Sequence, residues 1–346
     1  MPDAPRGEAD KHLRRFRHLL NATILATFAL IVLGGIVRVS DSGLGCGPEG
    51  SGTKGWPLCG GRVLPFLQEH QVIEFSHRAA ATVVVVLILA LAFVAVRHLR
   101  SRPWLVRGIV AAGILVIAQA ILGGLTVENG LHTAFVAAHL GLAMLLLGLL
   151  ITLRRLSLDP ERAAPLDTSR ALRLTATAAV VLLFCTIIAG GTIAGTEEEG
   201  TPGQPVVGAH LACGTQFPAC LGKFMPFSYG KLVDIQLTHR LLVYLTAIAV
   251  VALTVVAVRR RVALPPDGNR AFLLIPLLVA CQILLGAINV WEGKHPGLVA
   301  AHLTLATILW GTVVYAASTL LPIPAVLGAR QPEKPGGEPE TQAVTA

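Results

Sequence analysis

Apolar residues along this chain gather into eight long runs, with the polar and charged residues collected between them. The runs are Leu20–Val37, Ala79–Val96, Gly108–Val127, Thr133–Leu153, Leu174–Gly195, Leu241–Val258, Ala271–Trp291 and Gly297–Leu321, and none contains Asp, Glu, Lys or Arg. About 20 apolar residues in a helix cross a hydrocarbon core of about 30 Å. Lipid-exposed irregular backbone is excluded there, because its polar groups would go unbonded. The pattern predicts an all-α integral membrane protein with eight transmembrane helices. Residues 1–19 read as an N-terminal tail and 154–173 as a basic, Pro-containing linker. Residues 322–346, rich in Pro, Glu and Gly, read as a disordered tail.

Composition agrees. The chain has 346 residues, 53% hydrophobic and only 14% charged, with a mean hydropathy of +0.68. Soluble domains carry about 25% charge, so disorder, collagen and a disulfide miniprotein are excluded. The net charge of +8 invites a nucleic-acid reading, but its distribution removes it. The even loops and both tails hold 20 of the 28 Lys and Arg, while the acids divide evenly between the two sides. That is the positive-inside pattern. It predicts cytoplasmic termini, and no nucleic-acid partner. The first run is long for a signal peptide and lacks a small-x-small cleavage site.

An internal repeat divides the chain into halves at 20–153 and 174–321. Glu74-Phe75-Ser76-His77-Arg78 matches Gln236-Leu237-Thr238-His239-Arg240 at an offset of 162. Gln119-Ala120-Ile121-Leu122-Gly123 matches Gln282-Ile283-Leu284-Leu285-Gly286, and Val136-Ala137-Ala138-His139-Leu140 matches Val299-Ala300-Ala301-His302-Leu303, both at an offset of 163. His132 and His295 keep that offset, and Gly34-Gly35 and Gly190-Gly191 end the first helix of each half. Four helices per unit give both halves the same orientation. The expectation is two tandem four-helix bundles related by a parallel repeat.

Four of the 11 histidines, His77, His139, His239 and His302, lie in or at the start of even-numbered spans. All fall within about two turns of the outer end, at about 1.5 Å rise per residue. Ionisable residues inside a membrane are costly and usually functional. A lone histidine there is often a packing residue, but four at one depth, in two repeated pairs, point to metal. Two imidazoles facing each other across a bundle can hold a haem iron from both sides. Zinc would want three or four clustered ligands. Small neighbours (Ala79, Ala80, Ala137, Ala138, Ala300, Ala301) leave room for a flat macrocycle.

Arg38, Arg78 and Arg240 stand at the same outer level and are candidate partners for haem propionates. Interfacial snorkelling is the alternative. Glu74 precedes His77 by three residues, on the same helical face, and its repeat partner is Gln236. A carboxylate can move protons or offset positive charge, and an amide can do neither. Chemistry is therefore expected in the first half and electron transfer in the second.

Cys46 and Cys59 share the first outer loop, and Cys213 and Cys220 the third. Pairing within each loop is the simplest connectivity on the oxidising side of a membrane. Cross-loop bridges and redox-active thiols remain open. Cys185 and Cys281, inside helices, read as small packing residues. The acidic run Glu197-Glu198-Glu199 reads as a solvated loop face.

These motifs together resemble the haem A synthases, over roughly Leu20 to Leu321. The resemblance rests on Glu74-x-x-His77-Arg78, Thr238-His239-Arg240, the Ala-His-Leu of helices 4 and 8, and the Gly-Gly pairs. The loop cysteines are similar to those of bacterial members, which implies a bacterial plasma membrane. Such enzymes oxidise the C8 methyl group of haem O to a formyl group, giving haem A for cytochrome oxidase. The resemblance implies that His77 and His139 hold the haem O substrate, that Glu74 assists the chemistry, and that His239 and His302 hold a haem b cofactor. It implies as partners haem O, the prenyltransferase that makes it, membrane lipid and an unspecified electron donor or acceptor. If two histidines fill both axial sites of haem O, oxygen has no free position on its iron. The competing reading is a non-catalytic dihaem b-type electron-transfer cytochrome, in which Glu74 has no role. A haem transporter is a third reading. The Asp-rich motifs of a prenyltransferase are absent.

Overall fold

The computed structural model describes residues 6–64, 68–158, 169–196, 208–259, 266–322 and 324. Each apolar run falls on one helix, the last continuing three residues past the end of its helix: α1 (Arg6–Val39), α2 (Glu69–His98), α3 (Pro103–Glu128), α4 (Thr133–Leu156), α5 (Arg170–Gly195), α6 (Lys231–Arg259), α7 (Pro266–Trp291) and α8 (Pro296–Ser318). Each is long and apolar enough to cross a bilayer. The chain is an all-helical, multi-pass membrane protein, as its pattern predicts. The α1–α2 and α5–α6 loops lie on one side of the helices, here called the disulfide side. The α1 N-terminus and the end of α8 lie on the other, the terminus side. The run Glu197-Glu198-Glu199 and nearly all of 322–346 fall outside the described residues.

Helices adjacent in sequence pack together throughout, and α1 also meets α4, as α5 meets α8. The halves touch where α4 packs on α5 and α8, and where α1 packs on α8. One apolar core joins α1–α4 near the terminus side, through Phe16, Leu20, Ile88, Leu91, Leu105 and Leu150. A second spans the seam and the second half, through Met144, Leu172, Leu183, Ile275 and Trp310. Trp310 of α8 donates its indole N–H to the Met144 carbonyl of α4 at 2.8 Å, and Gly148 lies against its ring. Small residues admit such close helix contacts in a membrane, where burial from water supplies little drive.

Two local features differ from the sequence reading. The stretch read as a tail over 1–19 is helical from Arg6. Leu13, Phe16 and Leu20, spaced three and four apart, form a buried stripe against α2 and α3, and Arg17 donates to the Ser157 carbonyl beyond α4. Cys185 and Cys281 are exposed on the outward faces of their helices rather than packed between helices. A thiol is apolar enough for that position.

The loop histidines His132 and His295 gain a shared role. Each is an N-cap, accepting the backbone N–H of Ala134 at 3.3 Å and of Gly297 at 3.2 Å. A side-chain acceptor at that position satisfies one of the first unbonded N–H groups of the helix.

Candidate functional site

Each of the four histidines leans on a glycine of the preceding helix. A Cβ added at Gly34 of α1 would lie 3.0 Å from Cε1 of His77 in α2, and one at Gly123 of α3 would lie 3.1 Å from Cε1 of His139 in α4. In the second half, a Cβ added at Gly190 of α5 would lie 3.3 Å from Cε1 of His239 in α6, and one at Gly286 of α7 would lie 3.0 Å from Cε1 of His302 in α8. The same construction occurs four times, with the same ring atom toward the glycine. Only a residue without a side chain lets the rings lie that close to a neighbouring helix.

The rings are half-buried and lie in pairs: His77 is within electrostatic reach of His139, and His239 of His302. His239 Nδ1–H donates to the Thr186 carbonyl at 3.0 Å. That bond fixes the tautomer and leaves the Nε2 lone pair for a metal, the usual outer support of a ligating histidine. The Leu30 carbonyl holds the equivalent place beside His77 without closing a hydrogen bond. The Nδ1 atoms of His77, His139 and His302 are buried with no partner. Gln119 Nε2 donates to the His139 carbonyl at 2.9 Å, and its repeat partner Gln282 to the His302 carbonyl at 3.0 Å. Gln282 Nε2 also lies 3.1 Å from His302 Nε2.

These residues fit a haem iron held from two sides. The donors are paired imidazoles, three of them with a buried Nδ1 that has no partner, and each ring lies against a glycine. Among the described residues no three His, Cys, Asp or Glu side chains converge as a metal cluster would require.

Glu74 and Gln236 are both buried, at 3% and 4% exposure, but their surroundings differ. Glu74 Oε2 accepts the Cys46 N–H at 2.7 Å, and Oε1 pairs with Arg78. Gln236 has an unbonded Oε1. A buried carboxylate is tolerable only with such partners, and Arg78 and the Cys46 amide supply them.

Both loop disulfides form within their own loop, Cys46–Cys59 and Cys213–Cys220. The cross-loop and free-thiol alternatives are therefore set aside. The loops share a motif that the sequence reading missed: aromatic-Pro-x-Cys-x-Gly-basic, over Trp56–Arg62 and Phe217–Lys223. Cys59 N–H donates to the Arg62 carbonyl and Cys220 N–H to the Lys223 carbonyl, each at 2.8 Å. The aromatic at the head of each motif packs on the odd helix beyond, Trp56 over Gly124 and Phe217 edge-on to Trp291.

The three arginines carry loop and helix ends. Arg78 donates to the Gly55 and Leu58 carbonyls at 2.7 and 3.0 Å. Arg240 donates to the Gln216 and Ala219 carbonyls, both at 2.9 Å. Arg38 donates to the Ala194 carbonyl at the end of α5 at 2.7 Å. Arg78 and Arg240 thus clamp equivalent loops over equivalent histidine pairs. His210, in a one-turn helix of the second loop, acts electrostatically on both His239 and His302. It has no counterpart in the first loop, so the repeat gave no signal for it.

Comparison with known proteins finds relatives over most of the chain. A Heme A synthase of Geobacillus kaustophilus is 27% identical over 312 residues, covering 87% of this chain and 90% of that protein. One from Bacillus pumilus is 24% identical over 306 residues, covering 85% and 92%. One from Shouchella clausii is 28% identical over 222 residues, covering 63% and 68%. Residues 66–314 match the family described as cytochrome oxidase assembly protein. That match takes in all four histidines, Glu74 and both disulfide-side arginine clamps, and the chain belongs to the COX15-CtaA family of cytochrome oxidase assembly proteins.

Proposed function

We infer that this protein is a haem A synthase, an oxidoreductase of the membrane that takes haem O as substrate and oxidises its C8 methyl group to a formyl group. The observation that carries this reading is the asymmetry of two otherwise repeated sites. Each has a histidine pair seated on glycines, yet one has a fixed carboxylate, Glu74, where the other has Gln236.

In this reading the chain works as two four-helix halves, 20–153 and 174–321. His77 and His139 hold haem O. Glu74, steadied by Arg78 and the Cys46 amide, takes up a proton or offsets positive charge as the methyl group is oxidised. Positioned general bases and preorganised charges act in this way. His239 and His302 would hold haem b, which when bound would supply a one-electron carrier. The Thr186 carbonyl keeps the His239 lone pair directed to that role. Gln236 leaves the second site without the carboxylate of the first, which suits a group that only passes electrons. The two clamped loops cover the sites and limit water at the reacting carbon. Arg38, Arg78 and Arg240, at the mouth, are the cations that propionates would meet. The positive-inside pattern supports cytoplasmic termini in a bacterial plasma membrane, with the sites toward the opposite face. The prenyltransferase that makes haem O is the expected donor of substrate.

Pigment extraction from membranes of a host that supplies haem O tests this function. Haem A is expected when the protein is produced. Haem b with unchanged haem O would favour the electron-transfer cytochrome instead.

A further inference from the structure

A groove of about 540 Å³ opens on the terminus side, between α1 and α4 of the first half and α7 and α8 of the second. None of the four histidines lines it. Buried Leu147 and Thr307 lie at its base, and the exposed side chains of Leu25, Leu274 and Ile308 stand along it.

One end of the groove is cationic. Arg154, in the last turn of α4, and Arg270, near the start of α7, both line it. Arg154 Nε donates to the Asn21 Oδ1 at 2.8 Å, and Arg17 acts on Arg154 as a further nearby cation. No carboxylate lines the groove, and among the described residues no ion pair includes Arg154 or Arg270. Two guanidinium groups thus stand at the end of an apolar channel, with no carboxylate among the described residues that line it. They belong to the helix ends, the depth at which head groups meet a membrane protein. Guanidinium is suited to phosphate oxygens, which it can bond in pairs. Basic pockets between helices at the cytoplasmic face are known binding sites for anionic head groups.

We propose that this groove binds one anionic phospholipid, its phosphodiester between Arg154 and Arg270 and an acyl chain along Leu25, Leu274 and Ile308. Because the walls come from both halves, the lipid would join them on the side away from the disulfide loops.

Native mass spectrometry of the full-length, haem-loaded protein tests this, after delipidation in detergent and titration with dioleoylphosphatidylglycerol or dioleoylphosphatidylcholine. The first phosphatidylglycerol adduct is expected at roughly 25-fold lower lipid concentration than the first phosphatidylcholine adduct, given two arginines that contribute about fivefold each. Arg154→Gln and Arg270→Gln should each weaken phosphatidylglycerol binding about fivefold, and the double variant should lose the preference. Leu274→Trp fills the groove from an exposed position and keeps both arginines, so it should weaken both lipids. Unchanged haem content in each variant reports that it is folded. Equal binding of the two lipids by the wild-type protein would overturn the proposal, as would a preference that survives the double variant. Displacement of phosphatidylglycerol by haem O, but not by phosphatidylcholine, would also overturn it and assign the groove to the isoprenoid tail of the substrate.

Discussion

Glu74 accepts the backbone N–H of Cys46 at 2.7 Å, so the buried carboxylate of the first site is tied directly to the disulfide loop above it. The second site has no such tie: Gln236 Oε1 is unbonded, although Cys213 is the counterpart of Cys46. The link between loop and carboxylate makes the two disulfides unequal.

Removal of either disulfide should destabilise the protein by a similar amount. Sequence separations of 13 and 7 residues correspond to about 2.5–3 kcal/mol of loop entropy. Cys46→Ser should in addition lower haem A formation per haem-loaded protein, because the Cys46 amide steadies Glu74. Cys213→Ser should lower yield alone. Equal specific activities of the two variants, measured on folded protein, would break the link between the first loop and catalysis.

Glu74→Gln gives the first site the side chain of the second. It keeps the shape and loses the proton acceptor. Rate should fall by about 100- to 10,000-fold, the usual range for general acid–base groups. Haem b content should stay near normal, and haem O or a partly oxidised alcohol should accumulate. Near-normal haem A production at matched protein level would show that Glu74 has no chemical role.

Gly286→Ala and Gly190→Ala test the histidine seats. Their Cβ atoms would lie 3.0 Å from His302 and 3.3 Å from His239, so the rings must move by tenths of an ångström. Both variants should lose haem b or shift its absorption and paramagnetic resonance spectra, Gly286→Ala the more. Gly113→Ala, where nothing lies within 4 Å, should leave the spectra unchanged and gain up to about 1 kcal/mol of helix propensity. Unaltered spectra in both seat variants would mean that the glycines serve only helix packing.

The spans, the repeat and the four histidines were legible in the sequence because a bilayer imposes a length and forbids stray charge, so departures from the apolar pattern stand out. The glycine seats were not. Gly34, Gly123, Gly190 and Gly286 are visible in the chain, but membrane helices use glycine widely for packing, and only the rings beside them reveal the purpose. Arg78 and Arg240 are legible in the sequence as cations suited to propionates, but not as loop clamps. Their bonds to loop carbonyls depend on how Trp56–Arg62 and Phe217–Lys223 fold back, and no local pattern encodes that. The helical start at Arg6 was legible in principle. Leu13, Phe16 and Leu20 carry helical spacing, which a search for uninterrupted apolar runs passes over.

Orientation has its own check. A reporter active only in the cytoplasm should work when fused after Leu321. It should be silent when inserted at Gly50, a left-handed turn residue with open space around it. The reverse pair of results would put the disulfides on the reducing side and overturn the topology.

The division of labour between the halves is tested most directly by the haem inventory of purified His77→Ala and His239→Ala, extracted from a host that supplies haem O. His77→Ala should retain haem b and form no haem A, because only the substrate site has lost a ligand. His239→Ala should lose haem b. Retention of haem b by His239→Ala together with its loss from His77→Ala would contradict the assignment of the two sites.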